Sequence, residues 1–235
     1  MAVDEGGRFL DPPDWSSWSN LSDEERSVVY HCYRDRLKGN THGPRNDVVL
    51  VGSDVRPYAR CFSELQKTAQ LHSTIGLVGA KLVQLQEAGL FVVGGGYTED
   101  PKHFHLTGWD SSPGPWHTFH VYPWVTFSCV YIKRECIGAV GTMDMQVFPY
   151  AGDTDYCRRA REQGFANVYC PTAWALHQQE STTVCLVMRG MPDTEWRDRS
   201  TSSQRYVYYK WADRPVPVVE LPADVFADAQ GWPGR

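Results

Sequence analysis

The segment that runs from Asp47 to Asp54 restricts the fold of this chain more than any other part of the sequence. Its centre, Val48–Val51, is an uninterrupted run of valine and leucine that ends at Gly52. A short apolar run rich in β-branched residues is typical of a strand buried on both faces of a parallel sheet. Asp54 follows this predicted strand, and ligands of open α/β sheets bind beyond the carboxyl ends of the strands. The segment therefore predicts an α/β protein with a carboxylate at the ligand-binding edge of its sheet.

The rest of the sequence repeats this alternation of apolar runs and helical patterns. Buried strands are predicted at residues 75–83, 125–133 and 168–170, and Pro171 ends the last of them. Helices are predicted at residues 57–71, 134–138, 153–163 and 181–211, with Gly164 as the C-cap of the third. Strands that alternate with helices favour a central, mostly parallel sheet that is flanked by helices.

The chain is predicted to form one domain with three regions. Residues 1–46 are an N-terminal arm with a helix at residues 22–38, which begins with a capping box formed by Ser22 and Glu25. Residues 47–213 hold the predicted sheet, and residues 214–235 are a Pro-rich tail that is predicted to be extended. Within the middle region, residues 89–124 are rich in glycine, proline and histidine, which predicts a β-hairpin or a long loop over one face of the sheet.

The composition argues against several classes of protein. A formal net charge of -5 does not suit nucleic-acid binding, which normally requires a basic surface. No apolar stretch reaches the roughly 18 to 20 residues of a membrane span, and the first residues do not resemble a secretion signal. The 7 cysteines include no CxxC pair, which fits reduced thiols. We therefore expect a cytoplasmic protein without a membrane span.

Acidic and imidazole side chains stand at the ends of predicted strands and helices. They are Asp54, Asp153, Asp155 and His177. Each also has a purely structural interpretation, because aspartate closes turns and caps helices, and a single histidine is more often structural than a metal ligand. The histidines of the loop region have spacings that could suit zinc, but no cysteine or carboxylate lies at a matching spacing, so we interpret them as loop histidines: His103, His105, His117 and His120.

A series of short motifs resembles the family 2 glycosyltransferases, which have the GT-A fold. The apolar run that leads to Asp54 is similar to the strand and DxD-type motif of that family. Residues 152–159 resemble its E-D-x-D-x-x-x-R motif, and the segment that ends at His177 resembles its final strand and histidine. Further motifs follow the family order at residues 75–89, 127–144 and 210–211. The resemblance implies a GT-A-like, Rossmann-like sheet with a small β-hairpin or loop region on the acceptor side.

The resemblance also implies a nucleotide-sugar-dependent glycosyltransferase and gives individual residues a role. Asp54 and His177 would bind Mn²⁺ or Mg²⁺, and Asp54 and Ser53 would contact the diphosphate of a nucleotide-diphosphate sugar. Asp153 would be the catalytic base that takes the proton of a glycan or other hydroxyl acceptor, with inversion at the anomeric carbon. The acceptor would contact three further side chains, those of Asp144, Trp124 and Asp155.

The sequence departs from the family pattern at three places. Gly52 replaces an acidic or amide residue of the DxD-type motif, and Gly152 replaces the glutamate that usually precedes the base. Only residues 1–53 precede Asp54, which is short for the nucleotide-binding half of the family. A minimal donor site, a second polypeptide that completes the site, and a degenerate protein all fit this shortening. The alternative function is therefore a non-catalytic module that binds a glycan or a partner.

Overall fold

A central β-sheet with helices on both of its faces forms the described part of the chain. The computed structural model describes residues 47–52, 54–97, 106–144, 146–147, 151–177 and 193–229. The predicted helix at residues 22–38 lies outside these residues, as does Ser53. The apolar runs that predict strands do form strands of the sheet, and most of its buried centre comes from Ile75–Gln86, Cys129–Ile132 and Ala166–His177. The prediction that Val48–Val51 is buried on both faces is wrong, because this strand lies at the end of the described strand order and its four residues are only partly buried.

The described elements alternate between strands and helices along the chain. The strands are β1 (Val48–Val51), β2 (Val55–Pro57), β3 (Ile75–Gln86), β4 (Gly89–Gly94), β5 (Gly96–Tyr97), β6 (Gly108–Trp109), β7 (His120–Tyr122), β8 (Trp124–Val125), β9 (Cys129–Ile132) and β10 (Ala166–His177). The helices are α1 (Cys61–Gln70), α2 (Arg134–Val140), α3 (Gly152–Glu162) and α4 (Asp193–Trp211), and a short 3₁₀ helix spans Pro115–His117.

The described strands of the main sheet have the order β1-β9-β3-β10-β2. β9 lies between β1 and β3 and is antiparallel to both. β10 is antiparallel to β2 and parallel to β3. β4, β6 and β7 extend the sheet through further antiparallel pairs. β5 and β8 form a separate two-stranded ribbon.

The α/β class is confirmed, but the prediction of a mostly parallel sheet is wrong. Among the described strand pairs of the main sheet, β3 and β10 form the parallel one, and the other pairs are antiparallel. β1, β3 and β10 nevertheless run in the same direction, because β1 and β3 are both antiparallel to β9 and β10 is parallel to β3. A local apolar run indicates burial and carries no information about which strand is inserted beside it.

Helices cover both faces of β3. α1 packs on one face through side chains at helical spacing, and these are buried: Cys61, Leu65, Thr68 and Ala69. Leu65 is fully buried, and a leucine in such a position contributes about 1.5–3 kcal/mol. Val78 of β3 belongs to this core, whereas its neighbour Leu77 belongs to the core under α2 and α3. The alternation of a strand therefore divides β3 between the two cores.

Two prolines lie where the elements differ from the prediction. Pro57 is the last residue of β2, and α1 begins only at Cys61, so the predicted helix at residues 57–71 starts too early. β10 does not end at Pro171 but continues to His177. Its register against β3 shifts between Cys170 and Trp174, and prolines within sheets occur at such irregularities. The continuation carries His177 to the side of β2.

The region at residues 89–124, predicted as a β-hairpin or a long loop, contains paired strands in its described part, and the described part of the tail packs on the core. Residues 89–97 and 106–125 hold short strands, and β4 forms a hairpin with β3. The described part of the tail has no regular secondary structure at residues 215–222, and it packs on the core. Phe226 stacks on Phe119, with ring centroids 5.1 Å apart and an interplanar angle of 9°. None of the described helices combines the length and the apolar character needed to cross a bilayer.

Candidate functional site

Asp54 and His177 meet at the edge of the sheet where β1 and β10 end. β2 pairs with β10 so that Val55 lies opposite His177, and Asp54 directly precedes Val55. This pairing places Asp54 Oδ2 3.5 Å from His177 Nε2, with each side chain 15% exposed. The structure therefore brings together the two residues that the sequence predicts as metal ligands.

The turn that presents Asp54 has no room for a side chain at position 52 unless the Asp54 carboxylate moves. The Gly52 N–H donates to the Ser128 carbonyl at 2.8 Å, and the Gly52 carbonyl accepts from the Val55 N–H at 3.1 Å. A Cβ atom at position 52 would lie 2.9 Å from Asp54 Oδ1, closer than Cβ atoms in proteins approach their neighbours. The departure of Gly52 from the family pattern thus leaves room for the Asp54 carboxylate beside the turn.

The imidazole of His177 is in the neutral form, which suits metal binding. Burial lowers the pKa of His177, and the neighbouring Asp54 carboxylate offsets part of this effect. The ring is therefore neutral at neutral pH, which is the form that coordinates metals. Its Nδ1 atom is buried and has no hydrogen-bond partner among the described residues. The separation of 3.5 Å from Asp54 also exceeds the usual 2.7–3.2 Å of an N–H···O bond.

Asp153, the predicted base, lies in the first turn of α3. Its Oδ1 atom accepts a hydrogen bond from the Thr154 N–H at 2.8 Å. Burial raises the pKa of the Asp153 carboxyl, and backbone hydrogen bonds from Thr154 and Phe127 limit the rise. A carboxylate with a raised pKa accepts a proton more readily than an ordinary aspartate does, which is the property a general base needs.

The loop at residues 126–128, between β8 and β9, contacts both parts of the predicted site. Its Phe127 backbone hydrogen-bonds to Asp153, and its Ser128 carbonyl accepts the hydrogen bond from Gly52. Within the loop, the Thr126 hydroxyl accepts the Ser128 N–H at 3.3 Å. The turn that carries Asp54 and the helix start that carries Asp153 therefore contact the same loop, through Ser128 and Phe127 respectively.

Tyr97 belongs to this region and was not predicted from the sequence. It lies opposite Trp124 in the β5–β8 ribbon, and the two rings stack with centroids 5.9 Å apart. Burial raises the pKa of Tyr97, and the charge of Asp153 raises it further, whereas a hydrogen bond with Thr126 lowers it. The ribbon thus places Trp124, a predicted acceptor contact, beside a tyrosine that lies near the predicted base. No local pattern indicates Tyr97, because the pairing joins distant segments.

Asp144 and Asp155, which are also predicted to contact the acceptor, are both bound by side chains of α4. Asp155 is fully buried and accepts hydrogen bonds from Arg159 Nε at 2.9 Å and from Trp211 Nε1 at 3.0 Å. Lys210 Nζ lies 2.8 Å from Asp155 Oδ1 and 2.7 Å from Asp144 Oδ2. These contacts give both carboxylates a structural role, and their contact with an acceptor stays a prediction.

The remaining candidates do not form a further metal site in the described part of the chain. His103 and His105 lie outside the described residues. His117 Nε2 lies 3.1 Å from the Ser112 carbonyl, and His120 Nε2 lies 2.7 Å from the Thr118 hydroxyl. No group of three or more His, Cys, Asp or Glu side chains is arranged to hold a metal among the described residues. The interpretation of His117 and His120 as loop histidines is wrong, because His117 ends the 3₁₀ helix and His120 begins β7.

Sequence comparison relates the chain to a longer protein and, in part, to a glycosyltransferase. The uncharacterized protein y4gI of Sinorhizobium fredii (strain NBRC 101917 / NGR234) is 29% identical over 228 residues, which are 90% of this chain and 24% of y4gI. An N-acetylglucosaminyl-diphospho-decaprenol L-rhamnosyltransferase of Mycobacterium tuberculosis is 35% identical over 60 residues, which are 26% of this chain and 20% of that enzyme. The chain therefore spans about a quarter of y4gI. No protein-family profile matches the chain.

Comparison with solved structures finds distant neighbours. The crystal structure of GalNAc-T7 with UDP, GalNAc and Mn²⁺ superposes with a TM-score of 0.42 and 11% sequence identity, over 66% of this chain and 30% of that one. A197 from STIV superposes with a TM-score of 0.34 and 11% identity, over 62% of this chain and 61% of that one.

Proposed function

We propose that this chain carries the catalytic and acceptor side of a glycosyltransferase that moves a sugar from a nucleotide-diphosphate sugar to a glycan or other hydroxyl acceptor. The observation that carries the proposal is the approach of Asp54 to His177, at 3.5 Å, beside the loop that also contacts Asp153. The partial sequence similarity to a rhamnosyltransferase supports the same class of reaction.

A divalent cation fits between Asp54 and His177. Two ligand atoms that each lie about 2.1 Å from one ion are at most about 4.2 Å apart, which accommodates the observed 3.5 Å. The pair combines a carboxylate oxygen with a neutral imidazole nitrogen, a donor set that suits Mn²⁺. Because two protein ligands leave most coordination positions open, diphosphate oxygens and water would complete the shell. When bound, the cation would neutralise charge on the diphosphate leaving group.

Asp153 is the residue we assign to proton transfer. An acceptor hydroxyl is a weak nucleophile, and a carboxylate that takes its proton during the attack accelerates the reaction. The backbone contacts of Thr154 and Phe127 fix the Asp153 carboxylate at the start of α3, and burial raises its pKa toward the working range of a base. A base on the side opposite the leaving group gives a single displacement, with inversion at the anomeric carbon.

The β5–β8 ribbon is the surface we assign to the acceptor. Trp124 and Tyr97 are stacked aromatic rings close to Asp153, and aromatic rings pack well against the apolar faces of sugars. Ser53 remains a proposed diphosphate contact, since it adjoins Asp54 in the chain. A second polypeptide that completes the donor site also stays a prediction.

A transfer assay tests this proposal. The protein is incubated with Mn²⁺, a panel of nucleotide-diphosphate sugars and a panel of hydroxyl acceptors, and the released nucleoside diphosphate is measured. We expect Asp153→Asn to lower transfer by at least about 100-fold, because loss of a general base typically costs that much. The exposed Asp224 provides a matched control, and Asp224→Asn should leave transfer unchanged. Full activity of Asp153→Asn would show that the base is assigned to the wrong residue.

A non-catalytic module that binds a glycan or a partner is the second candidate. It is favoured by two departures from the family pattern, because Gly52 and Gly152 stand where that pattern has acidic or amide side chains. The described residues also show no third metal ligand beside Asp54 and His177. A protein that binds glycans but neither transfers sugar nor binds a nucleoside diphosphate with Mn²⁺ would have this function.

A further inference from the structure

The geometry points to Lys210 as the residue that positions the proposed base, by bridging two carboxylates on either side of the segment that leads to Asp153. This inference rests on the proposed function, since it concerns the acceptor side of the same site. Lys210 Nζ lies 2.7 Å from Asp144 Oδ2 and 2.8 Å from Asp155 Oδ1. Asp144 lies shortly after α2, and Asp155 lies in the first turn of α3.

The last turns of α4 supply several donors to these two carboxylates. Besides Lys210, the Tyr206 hydroxyl donates to Asp144 Oδ2 at 3.1 Å, and Trp211 Nε1 donates to Asp155 Oδ1 at 3.0 Å. Val207 and Trp211 are buried against Val147, so this end of α4 packs on the segment between α2 and α3. α4 therefore holds both ends of that segment at once.

The contact with Asp155 reaches the proposed base through the first turn of α3. Asp155 is fully buried, and its N–H donates to the Ala151 carbonyl at 3.0 Å, which closes the turn that contains Asp153. Arg159 donates to Asp155 Oδ2 and to the Val140 carbonyl at 3.0 Å, so the same network also reaches the end of α2. A shift of Asp155 would therefore move Asp153 relative to the acceptor.

Lys210 differs from the other donors because its ammonium group contacts both carboxylates, those of Asp144 and Asp155. Burial opposes the charge of Lys210, but hydrogen bonds with Asp144 and Asp155 raise its pKa above the ordinary value, which keeps the side chain charged. Without the ammonium, Asp155 would keep Arg159 and Trp211, and Asp144 would keep Tyr206. The protein should then remain folded. The carboxylates of Asp144 and Asp155, however, lose the cation between them and should move apart.

The test uses Lys210→Met, whose side chain keeps the length and loses the charge. Lys67→Met is the matched control, because Lys67 pairs with Glu64 at 3.0 Å on α1, a helix that does not contribute to the site. Lys210→Arg keeps a cation that can contact both carboxylates. Two readouts are measured: amide hydrogen exchange in peptides that cover residues 141–157, and the rates of transfer to acceptor and of donor hydrolysis by water.

We expect Lys210→Met to speed exchange in these peptides by about tenfold without changing exchange in α1. Transfer to acceptor should fall about 10- to 100-fold, because a small misplacement of a reacting group costs that much, whereas donor hydrolysis and Mn²⁺ dependence should change little. Lys210→Arg should restore most of the transfer. A purely structural role would instead slow transfer and hydrolysis equally or destabilise the whole protein.

The outcomes separate this inference from the proposed function. Unchanged exchange at residues 141–157 in Lys210→Met would overturn the positioning role, whatever the activity. Equal losses of transfer and hydrolysis would overturn it as well. If the unaltered protein transfers no sugar, the proposed function fails, and the exchange data still decide whether Lys210 fixes the start of α3.

Discussion

The replacement of Asp155 by asparagine is the substitution for which the structure gives the clearest expectation. Asp155 is fully buried and accepts from Arg159 and Trp211, and Lys210 Nζ lies 2.8 Å away. A hydrogen bond that involves a charged group contributes about 1.5–3 kcal/mol, and removal of one partner from an enclosed ion pair costs about 3–5 kcal/mol. Asparagine keeps the shape and one acceptor oxygen, but it leaves Arg159 without its carboxylate, and Lys210 keeps only its pair with Asp144.

The exposure of the two cations reduces this cost. The side chains of Arg159 and Lys210 are 19% and 24% exposed, so water can solvate part of each charge after the substitution. We therefore expect Asp155→Asn to lower the free energy of unfolding by about 2–4 kcal/mol, slightly less than for a fully enclosed pair.

Equilibrium unfolding in urea measures this loss. The exposed Asp224 is the matched control, since Asp224→Asn makes the same change of charge and should stay within about 0.5 kcal/mol of the unaltered protein. A loss below about 1 kcal/mol for Asp155→Asn would mean that the network around α4 is not formed in the folded protein.

Three further substitutions test the turn at Gly52, the burial of Asp153 and the packing of Phe226. Gly52→Ala should weaken Mn²⁺ binding in calorimetry, because the new Cβ would lie 2.9 Å from Asp54 Oδ1. Gly138→Ala is the control and should leave Mn²⁺ binding unchanged, because a Cβ there has no neighbour within 4 Å. Asp153→Asn should stabilise the fold at neutral pH, because burial raises the pKa of Asp153. This gain in the free energy of unfolding should vanish as pH falls below about 3.9, the pKa of aspartate in the unfolded chain. Urea unfolding at several pH values measures it. Phe226→Ala should cost about 2 kcal/mol in thermal or urea unfolding, since the ring is half-buried on Phe119, and a negligible cost would contradict the packed tail.

The parts of the fold that depend on local pattern were predictable from the sequence. Val48–Val51 is a strand, Asp54 follows it, and α3 begins at Gly152 and ends before Gly164, which has the positive φ of 81° expected of a C-cap glycine. The direction of the strand pairs was not predictable, because β9 enters between β1 and β3 from a distant part of the chain. Short apolar runs predict strands, but they do not specify which strand pairs with them or how deeply they are buried.

The site shows the same division between local and distant information. The sequence placed Asp54 and His177 together through a resemblance, and the β2–β10 register explains their approach. The sequence did not show that β10 continues past Pro171, although this continuation places His177 beside β2. Tyr97 was missed because its partner, Trp124, is distant in the chain and adjacent only in the β5–β8 ribbon.

Titration calorimetry of nucleoside diphosphate binding, with and without Mn²⁺, is the decisive measurement for Asp54 and His177 as metal ligands. The protein, Asp54→Asn and His177→Ala are compared, with Asp224→Asn as the control for an exposed aspartate. We expect binding that requires Mn²⁺, that weakens by at least about tenfold in both site variants, and that is unchanged in the control. Binding that is independent of Mn²⁺, or equally tight in Asp54→Asn, would contradict the assignment of this pair as the site of the metal and the diphosphate.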